Sequence, residues 1–303
     1  MSAARALGYR LLGRGFDYLL HLRPAEWPIM TVHFLTGAAL ALGLRGLLHA
    51  PLGPTLLGTA AFVIGLNGGT LALNSAFDRD EGDIAYLRRP PKPPPGLALF
   101  ALVLMLAGLA AASQLPQRFL IAYAACLVLS LLYSVPPVRL KARAGLDWLV
   151  NLLGFGFLTP YAGWALTGSD LTATGRLLLA GFALLFGALY PLTQLYQIAE
   201  DTQRGDRTLA VVLGRERSLA ITLFLTALAW AFFFQAAERS AMDTARWAGL
   251  VLAALAWLAV LIPWWRKRAE LDPAAEQRGM HRALGAWALT DLAVLFAWAR
   301  GAL

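Results

Sequence analysis

The chain has 303 residues, 58% of them hydrophobic and only 15% charged, with a mean hydropathy of +0.59 and a net charge of +8. Soluble domains carry about 25% charged residues, so this composition excludes an ordinary soluble domain and makes the bilayer the expected solvent. The lone Cys126 excludes an intramolecular disulfide and a thiolate metal site. The four histidines, His21, His33, His49 and His281, lack the i, i+4 pairing of a zinc hydrolase.

In chain order, the first 25 residues carry Arg5, Arg10, Arg14 and Arg23 against Asp17. With no continuous apolar run or small-residue cleavage site, they read as an interfacial segment rather than a signal peptide, a transit peptide being the weaker alternative. Nine apolar stretches follow, at about 27–44, 54–77, 96–114, 118–135, 147–166, 177–199, 217–236, 245–265 and 280–299. They leave no room for a soluble domain, and residues 1–303 are expected to form a single all-α, polytopic membrane bundle of about nine transmembrane helices.

Lysine and arginine fall unevenly between the connections. On one side lie only Arg45, Arg118, Arg176, Arg239, Arg246 and Arg300 of the 26 basic residues. The positive-inside rule therefore puts the N-terminus and the basic face in the cytoplasm, as in a multi-pass protein of a bacterial cytoplasmic membrane. Part of the positive charge serves topology and contact with anionic membrane lipids, so nucleic acid is not needed as a partner.

Topology does not explain why the same face gathers acids: Asp78, Asp80, Glu81 and Asp83 after the second stretch, Glu200, Asp201 and Asp206 after the sixth, out of 18 in all. Asn67, Thr70, Asn74 and Asp78 repeat at i, i+3, i+7, i+11, and Tyr190, Gln194, Gln197 and Asp201 at i, i+4, i+7, i+11. Each set forms one polar stripe on an apolar helix. Such stripes turn away from lipid, towards a cavity or a neighbouring helix.

Clustered oxygen ligands suit Mg²⁺, which binds through one or two carboxylates together with phosphate oxygens. Basic residues lie beside them: Arg79, Arg88, Arg89 and Lys92 in the first loop, Arg139, Lys141 and Arg143 in the second, Arg204 and Arg207 in the third. Arginine forks onto phosphate oxygens and lysine acts as a point charge. No phosphate-binding G-x-x-x-x-G-K-[ST] loop or dinucleotide fold is present, which leaves a lipid-tailed diphosphate as the best-fitting ligand.

The residues NSAFDRDEGD (Asn74, Asp78), YSVPPVRLKAR (Tyr133 to Lys141), EDTQRGDRTLAVVLG and, more weakly, LRPAEWP at Arg23 to Pro28 resemble the UbiA superfamily of intramembrane prenyltransferases. The YSVPPVRLK segment is most similar to the branch with chlorophyll synthases and archaeal lipid geranylgeranyltransferases. Two positions depart from the family pattern. Gly82 stands where the first motif has its last Asp, with Asp83 following, and Gln197 stands where the second motif opens with Asp. On a straight helix Glu81 lies about 60° and Asp83 about 140° from Asp78, whereas a helix end at Gly82 would bring Asp83 round, so the two compete as third ligand.

The resemblance implies Mg²⁺-dependent transfer of a prenyl group from a polyprenyl diphosphate to a hydrophobic acceptor, aromatic, quinone-precursor or lipid-like. It implies metal ligands among Asn74, Asp78, Glu81, Asp83, Gln197, Glu200 and Asp201, with Asn74, Asp78, Asp201 and Lys141 central to catalysis. Substrate contacts are expected from Arg23, Arg79, Arg88, Arg89, Lys92, Tyr133, Arg139, Lys141, Gln194, Tyr196 and Arg207. Asp147 with Asn151, and Asp291, are divided between a functional role and helix–helix hydrogen bonding. A UbiA-like terpene cyclase, which needs no acceptor, and a secondary transporter are the alternative classes, the transporter disfavoured because the acids lie at one membrane edge.

Overall fold

The computed structural model describes residues 3–78, 87 and 90–299. Among them the regular elements are helical, apart from one isolated parallel bridge between Arg143 and Arg207. In hydrocarbon each backbone N–H and C=O must be satisfied within the protein, and the helix does this locally. Contacts group the chain into two compact units, Met1–Val32 with Pro51–Val138 and His33–Ala50 with Arg139–Leu303.

In the first unit, α1 (Ala3–Leu12) and α2 (Phe16–His21) occupy the segment expected at the interface. Leu7, Leu11 and Leu12 are exposed, while Tyr9 donates to Asp17 at 2.7 Å and packs edge-on against Phe16. The long α3 (Trp27–Leu48) starts here and runs on into the second unit. Then α4 (Leu52–Ala60), a π-helical stretch (Ala61–Gly68) and α5 (Gly69–Asp78) make one 27-residue apolar helix.

The π stretch packs against α6 (Leu97–Ala112) and, with it, against α7 (Gln117–Ser134). Lipid tails give helices no hydrophobic reason to associate, so close backbone approach through small residues carries the packing. Gly108 makes room for Tyr123, whose hydroxyl donates to Met105 O at 2.9 Å and would lie 2.1 Å from any added Cβ at Gly108.

The second unit adds to its part of α3 the helix α8 (Leu146–Asn151), a second π-helical stretch (Leu152–Leu158) and α9 (Thr159–Leu166). It continues with α10 (Ala173–Leu195), α11 (Ile198–Arg204), α12 (Leu209–Glu238), α13 (Thr244–Arg266) and α14 (Pro273–Trp298). α10 lies along α12 with Gly181 under Phe233, and α13 along α14 with Gly279 under Trp264. Phe182, Phe233, Trp257 and Trp287 fill the core.

All nine apolar stretches read from the sequence coincide with helix. Among the described residues, seven helices are long and apolar enough to cross a membrane. α6 is a shorter apolar helix, and α14 falls outside the seven because it carries Glu276, Arg278, Arg282 and Asp291. The chain is an integral, multi-pass membrane protein.

The tightest helix contact in the second unit is reciprocal. A Cβ at Gly37 would lie 1.7 Å from Pro160 O, and one at Gly163 1.8 Å from Phe34 O, with backbone on both sides and nothing able to yield. Overpacking of this kind costs about 1–3 kcal/mol or more. Gly163→Val is therefore expected to lower the thermal unfolding midpoint in detergent clearly, whereas Gly285→Ala in α14, where nothing lies within 4 Å, should leave it near wild type.

Candidate functional site

The first acidic cluster sits at the C-terminal end of α5. Thr70, Asn74 and Asp78 keep their four-residue steps on that helix, but Asn67 belongs to the π-helical stretch before it. The i, i+3, i+7, i+11 stripe assumed one uninterrupted α-helical period, and the change of period at Gly68/Gly69 takes Asn67 out of it.

Part of the stripe is a seam between helices. Thr70 Oγ1 and Ser130 Oγ are 2.7 Å apart, and Ser134 Oγ donates to Asn74 Oδ1 at 3.4 Å. Ser130 and Ser134 stand one turn apart on α7 and form two rungs with Thr70 and Asn74. The S-L-L-Y-S spacing was the signal for them in the sequence. Tyr133 lies between the two, partly buried, and Lys92 is exposed.

Arg23 is 7% exposed and sits at φ +49, a left-handed conformation that costs a non-glycine residue energy. Next to it, burial and the Arg23 charge hold His21 below its ordinary range. Arg79, Glu81, Asp83, Arg88 and Arg89, with Asp80, lie outside the described residues.

The second cluster is better ordered than the stripe suggested. α10 stops at Leu195, a tight turn from Gln197 N–H to Gln194 O (2.9 Å) follows, and α11 restarts at Ile198. Gln197 and Asp201 are thus on a different helix from Tyr190 and Gln194, and the i+7 and i+11 spacing does not put the four on one face. Within α11, Asp201 is 5% exposed and accepts from Arg204 at 2.8 Å and from Thr208 at 3.2 Å. Burial pushes its carboxyl up from the usual range, opposed by the hydrogen bond and charge of Arg204 and by Thr208. Glu200 is exposed on the same helix and 3.6 Å from Arg204.

A second acid and a basic segment complete this end of the unit. Arg139 forks onto both oxygens of Asp206, and Arg207 N–H donates to Ala142 O at 3.1 Å, tying the Gly205–Thr208 turn to the segment that carries Lys141. Arg139 is at φ +38, and Lys141 is 8% exposed despite its charge. Gln194 is engaged by protein partners: its Nε2 donates to Asp147 Oδ2 (2.8 Å) and to Tyr190 Oη (3.1 Å), and its Oε1 accepts from Ala210 N–H (3.3 Å). Tyr196 is partly buried at the end of α10, and Arg207 is exposed.

Asp291 and His33 form their own buried pair within the second unit. His33 Nδ1 is 3.1 Å from Asp291 Oδ1, and His33 Nε2 is 3.2 Å from Phe155 O in the π-helical stretch. Phe182 and Trp287 close around the imidazole edge-on. Asn151 Nδ2 donates to Asp147 O at 2.9 Å, a bond within its own helix.

An all-helical integral membrane protein whose spans end in buried carboxylates braced by arginine and lysine is an intramembrane enzyme in its architecture. The chain belongs to the UbiA prenyltransferase family, whose model matches residues 32–285. It is 29% identical over 224 residues to a lycopene elongase/hydratase of Halobacterium salinarum, covering 72% of this chain and 79% of that protein. Its fold is that of a UbiA homologue from Archaeoglobus fulgidus solved with DMAPP and Mg²⁺, with TM-score 0.67, 19% identity, and 92% and 99% of the two chains covered. A digeranylgeranylglyceryl phosphate synthase shares it at TM-score 0.69 and 14% identity, with 93% and 97% covered.

The Arg139–Asp206 pair is partly buried, with side-chain exposures of 27% and 10%, so removing one partner strands the other. Arg139→Ala and Asp206→Ala are each expected to lower thermal stability. In a double-mutant cycle the coupling should be about 1 kcal/mol or more, within the range for contacting residues. A coupling near zero would show that the fork does not brace this turn.

Proposed function

We propose that the chain transfers the prenyl group of a polyprenyl diphosphate, with Mg²⁺, to a hydrophobic acceptor dissolved in the membrane. The observation that carries this reading is the buried Asp201 at the end of an apolar helix, beside the cationic groups of Arg204, Arg139 and Lys141. A carboxylate taken out of water and only partly compensated gains from a divalent cation.

The donor set fits Mg²⁺ in kind, since Asn74, Asp78, Glu200 and Asp201 offer only hard oxygens towards a metal. Among the described residues no three acids, histidines or cysteines form a group able to hold a metal by themselves. Mg²⁺ does not need such a cage, because water and substrate phosphate oxygens complete its shell. Asn74, Asp78 and Asp201 are assigned as ligands, with Glu200 and Gln197 next on the second cluster and Glu81 or Asp83 on the first.

When bound, Mg²⁺ supplies neutralisation of the charge that develops on the departing diphosphate. The chain's own cations do related work: Arg23, Lys141 and Arg207, with Arg79, Arg88, Arg89 and Lys92, are assigned to phosphate oxygens. Arg139 is shared with Asp206 and positions the turn as well. Tyr133 and Tyr196 are assigned to the apolar wall that keeps water from the allylic centre. The charge asymmetry places this chemistry at the cytoplasmic face.

Relatives support the ligand class, since UbiA homologues were solved with DMAPP or GPP together with Mg²⁺. For the acceptor, the Halobacterium relative is named for lycopene, which favours a lipid-like molecule among the aromatic, quinone-precursor and lipid-like classes. The departure at Gly82 keeps cyclisation as the second reading.

Asp78→Ala and Asp201→Ala are each expected to abolish Mg²⁺-dependent diphosphate release from geranylgeranyl diphosphate while membrane insertion stays normal. Near-normal release by either variant would refute the metal assignment. Glu81→Gln and Asp83→Asn, made separately, identify the third ligand of the first cluster by which one loses activity. Incubation with Mg²⁺ and geranylgeranyl diphosphate alone separates the classes: a cyclised hydrocarbon means a cyclase, a prenylated product only with added acceptor means a transferase.

A further inference from the structure

We propose that Asp147 and Gln194 are positioning residues: together they cap the start of α12, which frees the Thr208 hydroxyl to orient the Asp201 carboxylate. The inference rests on the assignment of Asp201 as a metal ligand.

Thr208 occupies the N-cap position of α12, with φ −66 and ψ 164, yet its side chain makes no capping hydrogen bond. A threonine there ordinarily turns its oxygen to the N–H groups two or three residues on. Here the hydroxyl donates outward instead, to Asp201 Oδ2 at 3.2 Å. The orphan donors of the helix are met from elsewhere, Leu209 N–H by Asp147 Oδ2 at 2.8 Å and Ala210 N–H by Gln194 Oε1 at 3.3 Å.

The two acceptors also fix each other, because Gln194 Nε2 donates to that same Asp147 oxygen at 2.8 Å and so turns its Oε1 towards Ala210. An acidic side chain at a helix N-terminus is favoured by the helix dipole as well as by the hydrogen bond. Asp147 is 0% exposed, Gln194 6%, Thr208 6% and Asp201 5%. Water cannot easily replace a lost partner at such depth. Of the two groups that hold Asp201, Arg204 is exposed on its own helix and Thr208 is buried, so Thr208 is the one that defines the carboxylate orientation.

Groups that orient metal ligands from behind are worth about 10- to 100-fold in metal affinity or activity. The test uses the purified full-length protein, titrated with Mn²⁺ as a paramagnetic probe by EPR, and hydrogen–deuterium exchange over the start of α12. Asp147→Ala is expected to weaken Mn²⁺ binding by about 10- to 100-fold and to speed exchange at Leu209 and Ala210. Asp147→Asn, which keeps an oxygen for Leu209 N–H, should restore most of both. Thr208→Val should weaken Mn²⁺ binding without faster exchange at Leu209.

Unchanged Mn²⁺ affinity in Asp147→Ala, or Asp147→Asn as impaired as Asp147→Ala, overturns the proposal. So does unchanged affinity in Thr208→Val. Should Asp147→Ala fail to fold, Gln194→Ala, which removes one cap acceptor and leaves the carboxylate, is expected to shift both readouts in the same direction by less, and no shift overturns the proposal. Wild-type protein that binds Mn²⁺ but releases no diphosphate refutes the proposed reaction and leaves the capping role standing. Wild-type protein that binds no Mn²⁺ overturns the metal assignment and this inference together.

Discussion

In hydrocarbon a polar group has no solvent to fall back on, and this single constraint accounts for most of the architecture. The helices answer it for the backbone. The side chains answer it in pairs and chains: Thr70 with Ser130, Trp148 with Gly187 O, Trp257 with Thr290, His33 with Asp291 and Phe155 O. Where apolar surface meets apolar surface, glycine lets backbones approach, as at Gly37 against Pro160 and Gly163 against Phe34. The functional groups then collect where the spans end and water begins, at Asp78 and in the α10–α12 connection.

That connection shows how the constraint yields precision. The turn between α11 and α12 is short and carries Asp206, Arg207 and Thr208. The segment from Arg139 to Asp147 holds each of these positions or its neighbour: Arg139 takes Asp206, Ala142 O takes Arg207 N–H, and Asp147 takes Leu209 N–H. Two stretches some sixty residues apart in sequence act as one template, and the acid at its centre, Asp201, is braced without a long loop of its own. Left-handed Arg139 is part of this arrangement, since its unusual backbone starts the turn that presents Lys141.

The sequence read at a single helical period reveals what that period controls. Nine apolar stretches, the punctuation between them and the concentration of acids at span ends were legible, because each depends on local composition. Asn67 was misplaced on its stripe because a π turn changes the period, and nothing in GLNGGT advertises that change beyond its glycines. The continuity of Tyr190 through Asp201 failed because α10 ends at Leu195. Asp147, Gln194 and Thr208 were all visible as polar residues, yet their joint action is a contact between elements 47 and 62 residues apart, and no periodicity encodes it.

The π-helical stretch at Ala61–Gly68 has a further consequence for how this protein tolerates change in length. A π turn is what a helix makes of a residue too many. Deleting one residue there would let the span relax to an ordinary helix, but everything beyond would rotate by about 100°. Asn74 and Asp78 would leave the side on which Ser130 and Ser134 stand, although neither had been altered. The phase of the acidic cluster is thus stored a full turn upstream, in apolar residues that take no part in the chemistry. Insertions and deletions in that stretch act on the site as rotations.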